Sequence, residues 1–337
     1  MKKNFVILFL ILLFTFFISL YLGAFPLHLN DILKIIEIHF GLFNPSANEA
    51  NHLDLAESIL IDIRFPRILA AALIGASYAL SGSSLQAIFS NPLVSPGILG
   101  VLAGSAFGAV FGISFFNSWI LTQAFSFIFG ILAVCFGVFI AYIYNSKASN
   151  RLILILGGII SGSFFSTLVS ILKYTADPYN QLPSIVYWLL GSLASIDLNN
   201  ILELSPLFLL GIFGLVFLAK YLNILSFGDE EAKSLGINAN LIRVLVIIFA
   251  TLVSSLSVAL GGMIGWIGLI IPHFTRLLVG SDNTKVLPAS GLLGASFLII
   301  VDDFSRLLFK TEMPIGILSS LIGIPIFIFA LKNAKKV

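Results

Sequence analysis

Residues 68–146 read ILAAALIGASYALSGSSLQAIFSNPLVSPGILGVLAGSAFGAVFGISFFNSWILTQAFSFIFGILAVCFGVFIAYIYNS, 79 residues without one Asp, Glu, Lys or Arg. No water-facing domain can be built from such a run, because its outer surface would have no charged groups to hydrate. A helix that crosses a bilayer uses roughly 20 apolar residues. The stretch therefore holds three spans, with natural breaks at Asn91-Pro92 and Phe116-Asn117.

The rest of the chain agrees. Of 337 residues, 58% are hydrophobic and only 10% are charged, against about 25% charged in soluble domains, and the mean hydropathy is +1.07. This excludes a soluble enzyme, a nucleic-acid binder and a disordered scaffold. The net charge of +2 says nothing about acidic partners, the lone Cys135 excludes an internal disulfide, and four histidines leave little for a metal site.

Outward from the core run, an apolar stretch from Phe5 to about Phe25 follows Met1-Lys2-Lys3 and is followed by no A-x-A cleavage pattern. It is longer than the roughly 7–15 residues of a signal peptide's apolar core, so a retained first helix is expected. Residues 26–65 form a polar interval, amphipathic at first (Ile32, Leu33, Ile35, Ile36) and then rich in Asn, Glu and Asp. Six further spans fit near 152–174, 200–222, 243–260, 263–280, 287–309 and 315–331, which makes ten. The chain is thus expected to be all-α, a polytopic membrane protein with ten transmembrane helices.

An even number of spans puts both termini on one side. That side collects 12 of the 18 basic residues: Lys2, Lys3, Lys147, Arg151, Lys220, Lys233, Arg243, Arg276, Lys285, Lys332, Lys335 and Lys336. Lys34, Arg64, Arg67, Lys173, Arg306 and Lys310 lie opposite. The positive-inside rule then places both termini in the cytoplasm.

Gly100, Gly104, Gly108 and Gly112 recur every fourth residue and predict a smooth helix face; Gly158 and Gly162 do the same in the fifth span. Such small-residue ladders let helices approach closely in lipid, where no hydrophobic drive brings them together. Prolines at 92, 96, 272, 314 and 325 mark breaks of the kind that line pathways. The chain has no phosphate-binding GxxxxGK[ST], no HExxH, no Cys/His cluster and no GxSxG. Charges are expected only at helix ends, with no mid-membrane acid or base of the kind an ion-coupled carrier needs. No catalytic residue, metal ligand or cofactor is expected, and an energised transporter would have to borrow its energy from a partner.

Three clusters stand out. Arg64-Phe65-Pro66-Arg67 sets two arginines around a helix-starting proline on the outer side. It reads either as interfacial anchoring or as a docking site for an external protein's carboxylates. On the inner side, Ser226 to Gly236 predicts a short helix bracketed by Gly228 and Gly236, with acids at its positive end. It is either a connector or a lever gripped by a cytoplasmic partner. The third cluster, residues 265–282, runs from Gly265-Trp266 to His273 and Arg276 at the inner end, where His273 is expected to be a satisfied helix-end histidine.

Together these strings resemble the FecCD family, permease subunits of type II ABC importers for ferric siderophores, haem and cobalamin. The resemblance runs from Arg64 to about Leu331. It rests on RFPRILAAALIGASYALSG (64–82), Gln86, NPLVSPGILGVLAGS (91–105), YWLLGSL (187–193), LSFGDEEAKSLG (225–236), GGMIGWIGLIIPHFTRLLVGSDN (261–283), LPASGLLGAS (287–296), Asp302 with Arg306, and EMPIGILSSLIGIPIF (312–327). Ser90 and Ser105 depart from the family's usual basic residue and alanine, and the loop 27–63 has no counterpart.

The resemblance implies a type II importer permease fold in one transmembrane domain over 1–337. Its parts are an anchor helix (1–25), an external loop (26–65) and nine further helices (66–337) with a cytoplasmic coupling segment at 226–240. It implies a second permease subunit, identical or sister, two cytoplasmic ATPase subunits that use ATP, and a periplasmic or lipid-anchored binding protein. Docking falls to Arg64, Arg67 and Arg306, ATPase coupling to Gly228, Asp229, Glu230, Ala232, Leu235 and Gly236, and the pathway to the fifth and tenth spans. The expected cargo is a ferric siderophore, with haem or cobalamin as alternatives. His28, His39 and His52 in the long loop leave haem contact conceivable, although solvated histidines explain them as well. A secondary carrier built on inverted repeats is the rival reading, and it lacks a visible coupling-ion site.

Overall fold

A computed structural model describes residues 2–23, 25–39, 45–116, 118–144, 151–308 and 311–334. Asn117, half of an expected break, lies outside the described residues, as do Lys147, Lys310, Lys335 and Lys336 from the orientation count. Helices and the turns that join them make up the described residues, with no strand among them.

Ten helices occupy the ten expected spans: α1 (Lys2–Tyr21), α4 (Phe65–Phe89), α5 (Val101–Phe115), α6 (Trp119–Tyr144), α7 (Arg151–Thr175), α9 (Leu198–Leu225), α11 (Ala239–Gly261), α12 (Ile267–Val279), α13 (Asn283–Leu307) and α14 (Ile315–Ala334). Six of them, α1, α6, α7, α9, α11 and α13, are long and apolar enough to cross a membrane by length and composition. The protein is a multi-pass membrane protein.

Four helices were not expected as spans. In the 26–65 interval, α2 (Leu29–His39) and α3 (Ala47–Ser58) pack through Leu27, Ile35, Leu53 and Ala56, and α3 runs into a π-helical turn at Ile59–Arg64. Between α7 and α9 lies α8 (Gln181–Leu190). The fourth, α10 (Asp229–Ser234), is the short helix read from Ser226–Gly236; Gly228 (φ 129°) and Gly236 (φ 76°) bracket it in backbone that favours glycine.

Local chemistry sets the ends. Pro66 opens α4, where its missing N–H costs nothing, and Ser90 closes it in left-handed backbone at φ 50°. Side chains of Asp197, Asn238 and Asp282 accept from Asn200, Leu241 and Thr284 N–H and cap α9, α11 and α13.

Helix α4 is the axis of the bundle, buried on nearly every side and packed on α9, α11, α12 and α13. Glycine makes two of these contacts possible. A Cβ on Gly75 would stand 2.2 Å from the Gly294 carbonyl oxygen of α13, and one on Gly82 only 1.9 Å from that of Gly268 in α12. Neither glycine belonged to the expected ladder. Within the ladder, Gly104 and Gly108 face α6 at Phe129 and Phe125. Gly100 does not share their helix face: it precedes α5 in left-handed backbone (φ 85°) and lies against Gly158 and Gly162 of α7. The four-residue period continued through a helix start that Pro96 and Gly97, in a 3-10 turn at Pro96–Leu99, had already displaced.

Irregular backbone enters the bundle between α11 and α12. Residues 262–266, with Gly262 at φ 72° and Trp266 at φ 70°, join α11 to α12. A Cβ on Gly261 would lie 2.9 Å from Ile74, nine residues inside α4, so this loop sits at depth. Ser192 N–H donates to Gly261 (3.1 Å) and Ile315 N–H to Gly191 (3.0 Å), tying the ends of α8 and α11 to the start of α14. Non-helical backbone at this depth is tolerated where protein buries it or a cavity runs beside it.

Candidate functional site

Three features stand apart from ordinary packing: an ion cluster at one end, the α10 region at the other, and grooves beside the irregular junction.

At the first end, Arg64 precedes α4, Arg67 lies in its first turn, and α13 contributes Asp302, Asp303 and Arg306. These arginines do not project outward. Arg64 and Arg67 are each 3% exposed, because α1 and α13 offer them acceptors. Arg64 donates to the carbonyls of Leu20 (2.8 Å), Tyr21 (2.9 Å) and Phe25 (2.5 Å), capping the negative end of α1. Gly23 leaves room for the guanidinium: a Cβ there would fall 2.3 Å from Arg64 Nη2. Burial and the nearby Arg306 charge lower the Arg64 pKa below its usual value, with Asp303 opposing.

Arg67 donates from Nε to both oxygens of Asp302 (2.8 and 3.1 Å) and from Nη1 to both oxygens of Glu312 (2.9 Å each). Asp302 is 1% exposed. Arg306 pairs with Asp302 at 3.2 Å and with Asp303, and donates to Ser19 Oγ (2.8 Å) and the Leu22 carbonyl (3.0 Å). Ser19 Oγ in turn donates to Asp303 (2.5 Å). The cluster clamps α1, α4 and α13 together. It also corrects the expectation that charges lie only at helix ends, since Asp302 and Asp303 are buried more than a turn inside α13. Only the spacing of Asp302 and Arg306, four apart on one helix, hinted at it.

At the opposite end, α10 presents Glu230, Glu231, Lys233 and Leu235 outward while Ala232 is buried. Asp229 pairs with Arg243 of α11, a buried guanidinium. A second fastening joins α9 to α13: Asn223 Nδ2 donates to Asp282 (2.7 Å), and Asn283 N–H donates to Asn223 Oδ1 (2.7 Å). Hydrogen bonds from Thr284, then Asn223, then Lys285 hold the Asp282 carboxyl well below the usual carboxylate range. Nearby, Arg276 Nη1 donates to Gln86 Oε1 (2.5 Å), linking α12 to α4. His273 is not the satisfied histidine expected: its Nε2 is buried without a hydrogen-bond partner, and its ring meets Phe327 edge-on.

The grooves flank the irregular junction. One, of about 690 Å³, runs between α5 and α7 and ends at Leu189 and Met263; the other, about 460 Å³, is lined by Thr122, Ser184, Tyr187, Trp188 and Ser192 among others. Among the described residues neither wall carries a charged side chain. Along α7, exposed Ser163 and Ser166 line the larger groove, and one turn on the exposed Thr167 and Ser170 hydroxyls donate back to the carbonyls of Ser163 (2.9 Å) and Ser166 (3.0 Å). The larger groove is mostly apolar, with hydroxyls contributed by Ser95, Ser163 and Ser166. In the 26–65 interval, Asp31 accepts from the His28 N–H and sits 3.6 Å from His52 Nε2, which also lies against Phe25; the His39 side chain is outside the described residues.

Comparison with known proteins agrees with this geometry. The FecCD transport family matches residues 11–333. The molybdate import system permease protein MolB of Haemophilus influenzae is 40% identical, over 94% of this chain and 92% of its own length. A Helicobacter pylori protein described as a probable iron chelatin transport system permease is 36% identical over 83% of this chain and 84% of its own. A solved metal-chelate type ABC transporter in an inward-facing conformation superposes with a TM-score of 0.86 at 38% identity, covering 98% of this chain and 99% of that one. The chain belongs to the FecCD transport family and is an ABC importer permease subunit.

Proposed function

We propose that this permease moves a ferric siderophore across the cytoplasmic membrane, with both termini inside and ATP hydrolysed by separate ATPase subunits. The observation that carries the energy coupling is α10: a helix set off by two positive-φ glycines, exposing acids and Leu235, and fastened to the bundle through Asp229 and Arg243. Closure of an ATPase dimer on ATP would pull on this element. The Asn223–Asp282 fastening would pass the movement to α13, and the bundle would switch between inward- and outward-open packings. A second permease subunit completes the pathway, with the hydroxyl face of α7 turned toward the cargo, and a binding protein delivers it at the arginine-rich end. The uncharged groove walls favour a chelate whose ligand already neutralises the metal, since no side chain there offers the ion pair a bare cation or dianion would need.

The 40% identity to a molybdate permease supports a second reading in which the cargo is a small oxyanion. Uptake of radiolabelled iron from a panel of ferric siderophores, and of radiolabelled molybdate, in strains with and without the gene separates the two. Selective loss of iron uptake supports the siderophore; loss of molybdate uptake alone overturns it, and haem and cobalamin are tested if neither changes.

A further inference from the structure

The ion cluster at the arginine-rich end contains one member unlike the rest. Arg64, Arg67 and Arg306 face Asp302, Asp303 and Glu312, three charges against three. Five of these side chains are held inside the bundle, whereas Glu312 is 46% exposed. It stands on the α13–α14 connection, where Met313 N–H donates to the Ser305 carbonyl (3.2 Å) and Ser305 Oγ donates to the Met313 carbonyl. Those bonds fix the backbone beside it, so only the Glu312 side chain has to rotate for its carboxylate to leave Arg67. On the other side of the same guanidinium, Nη2 is buried with no hydrogen-bond partner. Arg67 is thus under-filled, and half of what it does hold is a carboxylate open to solvent.

We infer that Glu312 is an internal competitor for docking: it occupies Arg67 in the unbound permease and is exchanged for a carboxylate of the incoming binding protein. The inference rests on the docking reading proposed above and narrows it, because Arg64 and Arg306 are committed to backbone carbonyls and buried acids of this chain. With Glu312 in place the cluster is neutral; once it swings away the cluster carries one net positive charge, matched by one arriving carboxylate. Acid-for-acid exchange keeps the two bonds that Arg67 makes at Nη1, so docking does not require a buried guanidinium to be stripped first. A partner without a carboxylate at this point would leave Arg67 half unpaired, which penalises the wrong partner more than it rewards the right one.

The test uses the importer, permease with its ATPase, in nanodiscs and the substrate-binding protein of the same importer as probe. Glu312→Gln keeps the shape and removes the competing charge, and Glu203→Gln, an exposed acid on α9, serves as a control for overall charge. Affinity is measured at about 0.02 M and about 0.5 M salt, where screening differs severalfold in range. The expected result is that Glu312→Gln tightens docking about tenfold at low salt, with the difference shrinking at high salt and the control unchanged. If Glu312→Gln binds like the unaltered importer, or more weakly, while docking still weakens with salt, the arginine docking reading stands and the exchange is refuted. If docking is insensitive to salt in both, the docking reading falls and the exchange with it.

Discussion

Replacing Gly82 with alanine tests whether the α4–α12 contact holds the bundle together. A Cβ there would meet the Gly268 carbonyl oxygen at 1.9 Å, and the opposing atom is helical backbone that cannot rotate away. Restoring ordinary contact at about 3.4 Å requires the two helices to part by about 1.5 Å, as large as the helix shifts that switch packed interfaces. Overpacking of this kind costs about 1–3 kcal/mol. Gly265→Ala is the matched control, because a Cβ at Gly265 meets nothing within 4 Å. The melting temperature of the purified protein in detergent, followed by size-exclusion of the folded fraction, should fall by about 1–4 °C for Gly82→Ala and stay level for Gly265→Ala. Uptake in cells should drop for the first alone. Equal melting and equal uptake for the two variants would refute the claim that this contact sets the α4–α12 spacing.

Other outcomes follow from the same contacts. Asp302→Asn should destabilise by about 3 kcal/mol by leaving Arg67 and Arg306 under-compensated, and Arg67→Met with Asp302→Leu should recover part of the loss; melting of the single and double variants checks this. Asp229→Asn removes the charge opposite the buried Arg243 guanidinium but keeps an oxygen that accepts from it, so it should cost about 1–3 kcal/mol without unfolding the protein, yet lower transport per ATP hydrolysed, which parallel ATPase and uptake assays measure. Asp282's depressed pKa means its stabilising contribution is complete above the unfolded value near 4 and drains as pH falls below it. Melting scans from about pH 6 to about pH 3 should therefore decline less steeply for Asp282→Asn than for the unaltered protein.

The places of the long apolar helices were legible because a bilayer imposes one rule on composition: an uncharged run such as 68–146 has no other stable setting. The short helix at 229–234 was legible because two glycines and a cluster of acids mark its ends. Burial of Arg64 and Arg67 was not, because the partners of a guanidinium are set by tertiary contact; Asp302 lies 235 positions from Arg67. For the same reason the glycines that matter most to α4, Gly75 and Gly82, looked ordinary, while the regular ladder drew attention to Gly100, which turned out to cap a helix. The 26–65 interval read as a loop because Asn, Glu and Asp crowd its second half, yet Leu27, Ile35, Leu53 and Ala56 seat α2 on α3.

The claim that this permease is driven by ATP through α10 is tested most directly in proteoliposomes holding the purified importer with its binding protein. Uptake of labelled ferric siderophore should require ATP on the face that carries α10, stop with vanadate, and be lost when 229–234 is replaced by a glycine-serine linker. Uptake that continues without ATP and follows an imposed proton or sodium gradient would contradict the account.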